Sequence, residues 1–130
     1  MNLPERFPPD DPREWLNRAR SNLALAKNRI PDAYLEDLCF EAQQAAEKAI
    51  KAVLIRSGIE FPYVHDLARL LSLLEESGIP VPDVVRRAEE LTPYAMIGRY
   101  PGPTRPVSPD DHATAVELSE AVVRWAETNL

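Results

Sequence analysis

Two arginines and a histidine in the last third of the chain are well suited to chemistry on a phosphate. Arg99 and Arg105 stand in a stretch without acidic residues between Leu91 and Val107, and six residues separate Arg105 from His112. A guanidinium can grip a phosphate with two hydrogen bonds, and an imidazole can move a proton to or from a ribose hydroxyl. These residue types predict binding of a nucleotide or an RNA phosphate, with RNA cleavage as the alternative.

Two further side chains complete the candidate site. His65 precedes a predicted helix, where its imidazole can bind a free backbone amide or fix the preceding loop. Tyr100 adjoins Arg99 and presents a ring that can stack on a base. The residues predicted to bind a nucleotide or a phosphate are therefore His65, Arg99, Tyr100 and Arg105. His112 and Arg105 form the catalytic pair of the alternative, and a solvent-exposed His112 without a catalytic role is the simpler interpretation.

Composition and charge argue against several other kinds of site and partner. Two histidines and one cysteine without close spacing leave no recognisable zinc site, and the four glycines form no phosphate-binding loop, so no metal and no cofactor are expected. The net charge of −6 argues against indiscriminate binding to nucleic acid. The chain has no run of about 18 apolar residues and no apolar signal region at its start, so a cytoplasmic location without membrane contact is expected.

The periodicity of apolar residues predicts an all-α fold, an up-and-down bundle of four to five helices. A flexible, proline-rich arm over residues 1–10 precedes a helical domain over residues 11–130. The predicted helices cover about 12–28, 34–57, 66–77 and 83–91, and then 108 to the C-terminus. Prolines and glycines interrupt the segment 92–107, which is predicted to be irregular and to form the functional surface together with the start of the last helix.

The second predicted helix has a face of small and apolar residues and a polar face. The first face comprises Cys39, Ala42, Ala46, Ala49 and Val53. The polar strip carries Gln44, Lys48 and Lys51, and Glu47 precedes Lys51 by four residues, which is the favourable order for an ion pair. We expect the small residues of this helix and the apolar residues of the last helix to form the interface of a homodimer.

The segment 42–67 resembles the signature of HEPN domains. The resemblance rests on the run AQQAAEKAIKA over 42–52, followed by Gly58-Ile59, Pro62 and His65-Asp66-Leu67, with Arg99-Tyr100-Pro101 as a supporting match. It extends over about residues 12–130. It implies a small all-helical domain, in agreement with the periodicity.

The resemblance also implies two kinds of function. HEPN proteins similar to this one often pair with a minimal nucleotidyltransferase in a toxin–antitoxin-like system. This chain is accordingly expected to bind a nucleotide or RNA, or such a transferase, and to form a homodimer or higher homo-oligomer. Other HEPN proteins resemble metal-independent endoribonucleases, in which an Arg and a His separated by four to six residues meet at a homodimer cleft. Arg105 and His112 meet that spacing at its outer limit, but Pro106 stands where the family has a polar residue. The binding module is therefore the preferred hypothesis and the nuclease the alternative, while a purely structural oligomer ranks third.

Overall fold

The computed structural model describes residues 3–97 and 105–130, and all regular structure in these ranges is helical. The elements are α1 (Pro12–Lys27), α2 (Leu35–Arg56), α3 (Leu67–Glu76), α4 (Asp83–Arg86), a 3-10 helix (Arg87–Leu91), α5 (Tyr94–Ile97) and α6 (Pro109–Thr128). The predicted all-α class is confirmed. Across these described ranges, none of the helices has the length and apolar character needed to cross a membrane.

A capping side chain precedes α1, α3 and α6. Asp11 before α1 and Asp66 before α3 accept hydrogen bonds from backbone amides of the first turn. Ser108 and Asp111 form a reciprocal capping box at the start of α6, where the side chain of each accepts from the backbone N–H of the other. These caps fix the starts of α3 and α6, and a histidine lies beside each of them.

The core is built around α2, which packs most extensively against α1 and α6. The small residues of α2 are fully buried there: Ala42, Ala45, Ala46, Ala49 and Ala52. The apolar residues of α6 that face them, including Ala115, Leu118 and Val122, are buried as well. The predicted homodimer interface was therefore wrong in its location, because these side chains already form the interior of one chain. The homodimer itself stays a prediction.

The region after α3 differs from the prediction in two ways. The expected fourth helix is one α-turn that tightens into the 3-10 helix at Arg87, and of its two valines Val84 is 47% exposed while Val85 is buried. The segment expected to be irregular contains α5, which begins directly after Pro93. A proline suits the first turn of a helix as well as a break, and the spacing of prolines alone does not separate these cases.

The described part of the N-terminal arm lies along the start of α1. The backbone N–H of Phe7 donates to Glu14 Oε1 at 3.0 Å, and Trp15 Nε1 donates to the carbonyl of Pro9 at 2.7 Å. The guanidinium of Arg13 stacks 4.0 Å from the centre of the Phe7 ring. These contacts dock the arm on the helix, while its flexibility and the domain boundary at residue 11 stay predictions.

Candidate functional site

One side of α2 carries a line of buried polar side chains, here called the polar row: Gln43, Glu47 and Lys51. They are spaced four residues apart and are 0%, 4% and 3% exposed. Gln43 Nε2 donates to Glu47 Oε1 at 2.9 Å, and Lys51 Nζ donates to Glu47 Oε2 at 3.0 Å. The predicted Glu47–Lys51 ion pair is confirmed. The pair is buried, because the chain after α2 folds back over it.

The aromatic residues of that returning loop contact the charged end of the polar row. Lys51 Nζ lies 5.6 Å from the centre of the Phe61 ring and 5.5 Å from that of Tyr63. A cation near aromatic rings is attracted to their negative faces. The ammonium of Lys51 is therefore held between a carboxylate and two rings instead of water.

Glu47 is the centre of this network. Burial alone would raise the pKa of its carboxyl, but hydrogen bonds from Gln43, Lys51 and His65 outweigh the burial and lower the pKa below its ordinary value. Glu47 is consequently an anion at neutral pH. A buried ion pair of this kind is costly to desolvate, and perturbed buried groups of this type concentrate at functional sites.

His65 connects the polar row to the surface. Its Nδ1 lies 2.9 Å from Glu47 Oε1, and its side chain is 35% exposed. Within the described residues the other ring nitrogen, Nε2, has no hydrogen-bonding partner. Every buried side-chain nitrogen of the described residues has a partner, so Nε2 is not buried and is in contact with solvent. Tyr63 lies beside it in an edge-to-face arrangement with ring centres 5.8 Å apart, and Tyr63 is 90% exposed. His65 and Tyr63 thus form a small exposed face, here called the His65 face, over the polar row.

The second candidate region is the start of α6, where His112 proves to be buried. The residue is 7% exposed, and its Nε2 donates to the backbone carbonyl of Ala26 at the end of α1, 2.7 Å away. The expectation of a solvent-exposed His112 was wrong, because the first turn of α6 packs against α1. This hydrogen bond ties two helices together across the bundle.

Arg105 lies close to His112 in sequence but binds a different residue. Its Nη1 donates to Asp111 Oδ2 at 2.9 Å, and its side chain is 75% exposed. Arg105 first, and then the hydrogen bonds from Ser108, lower the pKa of Asp111 to about 2. The arginine charge is thereby balanced locally. Among the described residues no hydrogen bond or ion pair joins Arg105 to His112, and the role of the two as a catalytic pair stays a prediction.

The structure therefore places the predicted site residues in different surroundings. His65 lies at a solvent-accessible network and Arg105 on the surface, and no contact links these two residues within the described ranges. Arg99 and Tyr100 lie outside the described residues. Sequence reasoning missed the polar row as a unit, although the four-residue spacing of Gln43, Glu47 and Lys51 was a signal for it.

The fold and the site define a small all-helical domain whose central helix carries a buried ion pair tied to an exposed histidine. The HEPN domain model matches residues 12–129, and the chain belongs to the HEPN family. The crystal structure of TT1696 from Thermus thermophilus is similar, with 30% identity, a TM-score of 0.77, and coverage of 92% of this chain and 98% of that one.

A second structure, that of the archaeal HEPN homologue ST0689, shares the fold. Its identity is 24% and its TM-score 0.70, with coverage of 91% of this chain and 96% of that one. A search of curated proteins gave no significant match.

Proposed function

We propose that this HEPN protein is a module that binds a nucleotide or RNA, and that the His65 face is one of its contact surfaces. The observation that carries the proposal is the combination of a 90% exposed Tyr63 ring with a solvent-accessible imidazole that a buried carboxylate holds in place. Exposed aromatic rings are the usual stacking partners of unpaired bases. A side chain that is already fixed loses little conformational freedom when a ligand binds.

Phosphate contacts are proposed for the arginines near the start of α6. Arg105 is exposed, and its guanidinium has N–H groups beyond those that bind Asp111. Arg99 and Tyr100 join it in this proposal on the basis of the sequence alone. The net charge of −6 requires such contacts to be local, since the protein as a whole repels a polyanion.

The proposal includes assembly with other proteins in the cytoplasm. We propose a homodimer or higher homo-oligomer that pairs with a minimal nucleotidyltransferase in a toxin–antitoxin-like system, as the family resemblance implies. Support comes from apolar side chains exposed around the turn between α1 and α2: Leu25 is 48%, Ile30 50% and Tyr34 76% exposed. Exposed apolar side chains grouped in this way favour contact with another protein.

The binding proposal is tested by titrating a short labelled single-stranded RNA against the wild type, Tyr63→Ala and Tyr34→Ala. Loss of one stacked base lowers affinity by about tenfold, within the roughly 1–3 kcal/mol that such stacking contributes. Tyr34 is an exposed tyrosine remote in sequence from the His65 face and is proposed to contact protein, not RNA. Tyr34→Ala, measured at the same oligomeric state as the wild type, is therefore the matched control and should bind RNA like the wild type. Equal binding by all three proteins would contradict the role of Tyr63.

The phosphate contacts and the nuclease alternative need variants of their own. Arg99→Ala should weaken RNA binding more than His112→Ala does, since the buried His112 has no direct access to the ligand. RNA degradation is measured in parallel after contaminating nucleases have been removed. Degradation by the wild type that a folded His112→Ala variant lacks would establish the endoribonuclease and displace the binding module as the main function.

A further inference from the structure

We infer that His65 recognises the ribose 2′-hydroxyl of the bound ligand, so that the protein prefers RNA and ribonucleotides over their deoxy counterparts. The inference rests on the proposed function and adds the chemical feature by which the His65 face selects its ligand. It assigns His65 a hydrogen-bond acceptor role towards a sugar, in place of the phosphate contact expected from the sequence.

The hydrogen bond to Glu47 determines which nitrogen of the His65 ring carries the proton. An ionised carboxylate can only accept a hydrogen bond, so Nδ1 of His65 must carry the proton that lies between it and Glu47 Oε1 at 2.9 Å. Glu47 is held as an anion by Gln43 and Lys51 as well, so this arrangement does not depend on the ligand. In the neutral imidazole the other nitrogen, Nε2, is then an acceptor.

An acceptor nitrogen such as Nε2 of His65 binds donor groups of a ligand. Nε2 is accessible to solvent and has no partner in the described part of the chain. A lone pair attracts a hydroxyl hydrogen and does not attract a phosphate oxygen, which is itself an acceptor. The 2′-hydroxyl is the donor that distinguishes a ribose from a deoxyribose.

The imidazole of His65 lies close to the exposed ring of Tyr63. The ring centre of Tyr63 lies 5.8 Å from that of His65, and Tyr63 is almost fully exposed. A base stacked on Tyr63 carries its sugar directly attached, and the inference places that sugar beside the neighbouring imidazole. Stacking on Tyr63 tolerates any base, so selection by His65 would act on the sugar and not on the sequence.

The inference is tested with RNA and DNA oligonucleotides of identical sequence, the DNA containing deoxyuridine, and with AMP and dAMP as free ligands. The wild type should bind the ribose form about three- to tenfold more tightly, the effect of one hydrogen bond. His65→Asn keeps an amide N–H for Glu47, but its shorter side chain has no acceptor at the position of Nε2, so the RNA-to-DNA affinity ratio should fall to about one with DNA affinity unchanged. Comparing oligonucleotides with AMP shows whether the ligand is RNA or a free nucleotide.

Three outcomes separate the possibilities. Equal wild-type binding of RNA and DNA overturns the ribose inference and leaves the proposed function intact. An equal loss of RNA and DNA binding in His65→Asn overturns it too, since His65 would then only support the local structure. Absence of binding to every ligand overturns the proposed function together with the inference. If His65→Asn does not fold, as judged by circular dichroism, His65→Ala, which introduces no acceptor, provides the same test.

Discussion

The two histidines of this chain stand at similar places, one just before α3 and the other in the first turn of α6, but their surroundings differ. His112 is buried and donates to the neutral carbonyl of Ala26, 2.7 Å away on another helix. His65 is partly exposed, and the anion Glu47 occupies one of its nitrogens at 2.9 Å while the other nitrogen meets solvent. The partner of the imidazole ring therefore distinguishes a structural histidine from one that is available to a ligand.

The largest change in stability is expected from removing the anion under His65. Glu47→Ala leaves the ammonium of Lys51 buried without a charged partner and should lower the free energy of unfolding by about 3–5 kcal/mol. Chemical denaturation followed by circular dichroism measures it.

A double variant tests the physical reason. Glu47→Ala combined with Lys51→Met removes both charges and should be less destabilised than Glu47→Ala alone, since no unpaired charge is left. A single variant that unfolds with the wild-type midpoint would mean that the ion pair is solvated in solution.

A smaller loss of stability is expected at the other histidine. His112→Ala leaves the carbonyl of Ala26 without its donor in a buried place and should cost about 1–3 kcal/mol, the range for an unpaired buried polar group. The same variant should bind RNA like the wild type, provided that the measurement is made well below its midpoint of unfolding. His65→Asn should show the opposite pattern, with little loss of stability and a changed RNA-to-DNA ratio. If the two variants behaved alike, the distinction between the two histidines would be lost.

The smallest effect concerns the charges next to His112. The pKa of Asp111 is about 2 in the folded protein, lowered from 3.8 chiefly by Arg105. A carboxyl whose pKa is lower in the folded state stabilises the fold above its unfolded pKa, and this contribution is lost as the pH falls from about 4 to about 2. Arg105→Ala should raise the pKa of Asp111 towards its ordinary value, which a carbon-13 NMR titration of the carboxyl detects. An unchanged pKa would assign the whole shift to Ser108.

Local signals in the sequence were sufficient for the long helices. The predicted bounds of α1, α2 and α3 and the predicted start of α6 lie within one residue of the observed ones. Capping side chains mark the starts of α1, α3 and α6, and glycines mark the ends of α2 and α3. The burial of polar residues could not be predicted from such local signals. Lys51 belongs to a polar strip on a helical wheel, and it is buried in a fold that brings Phe61 and Tyr63 back to its ammonium group. His112 is buried for the same kind of reason, through a helix 86 residues earlier in the chain.

The polar row has a consequence for how the chain finds a single arrangement. Five alanines lie among the buried residues of α2, and such small side chains give this part of the helix few features that favour one rotation about its axis over another. Turning α2 by one residue, about 100°, would move Glu47 and Lys51 away from His65 and the aromatic loop and leave their charges against apolar neighbours. The ion pair therefore favours one rotation of the central helix about its axis over the others.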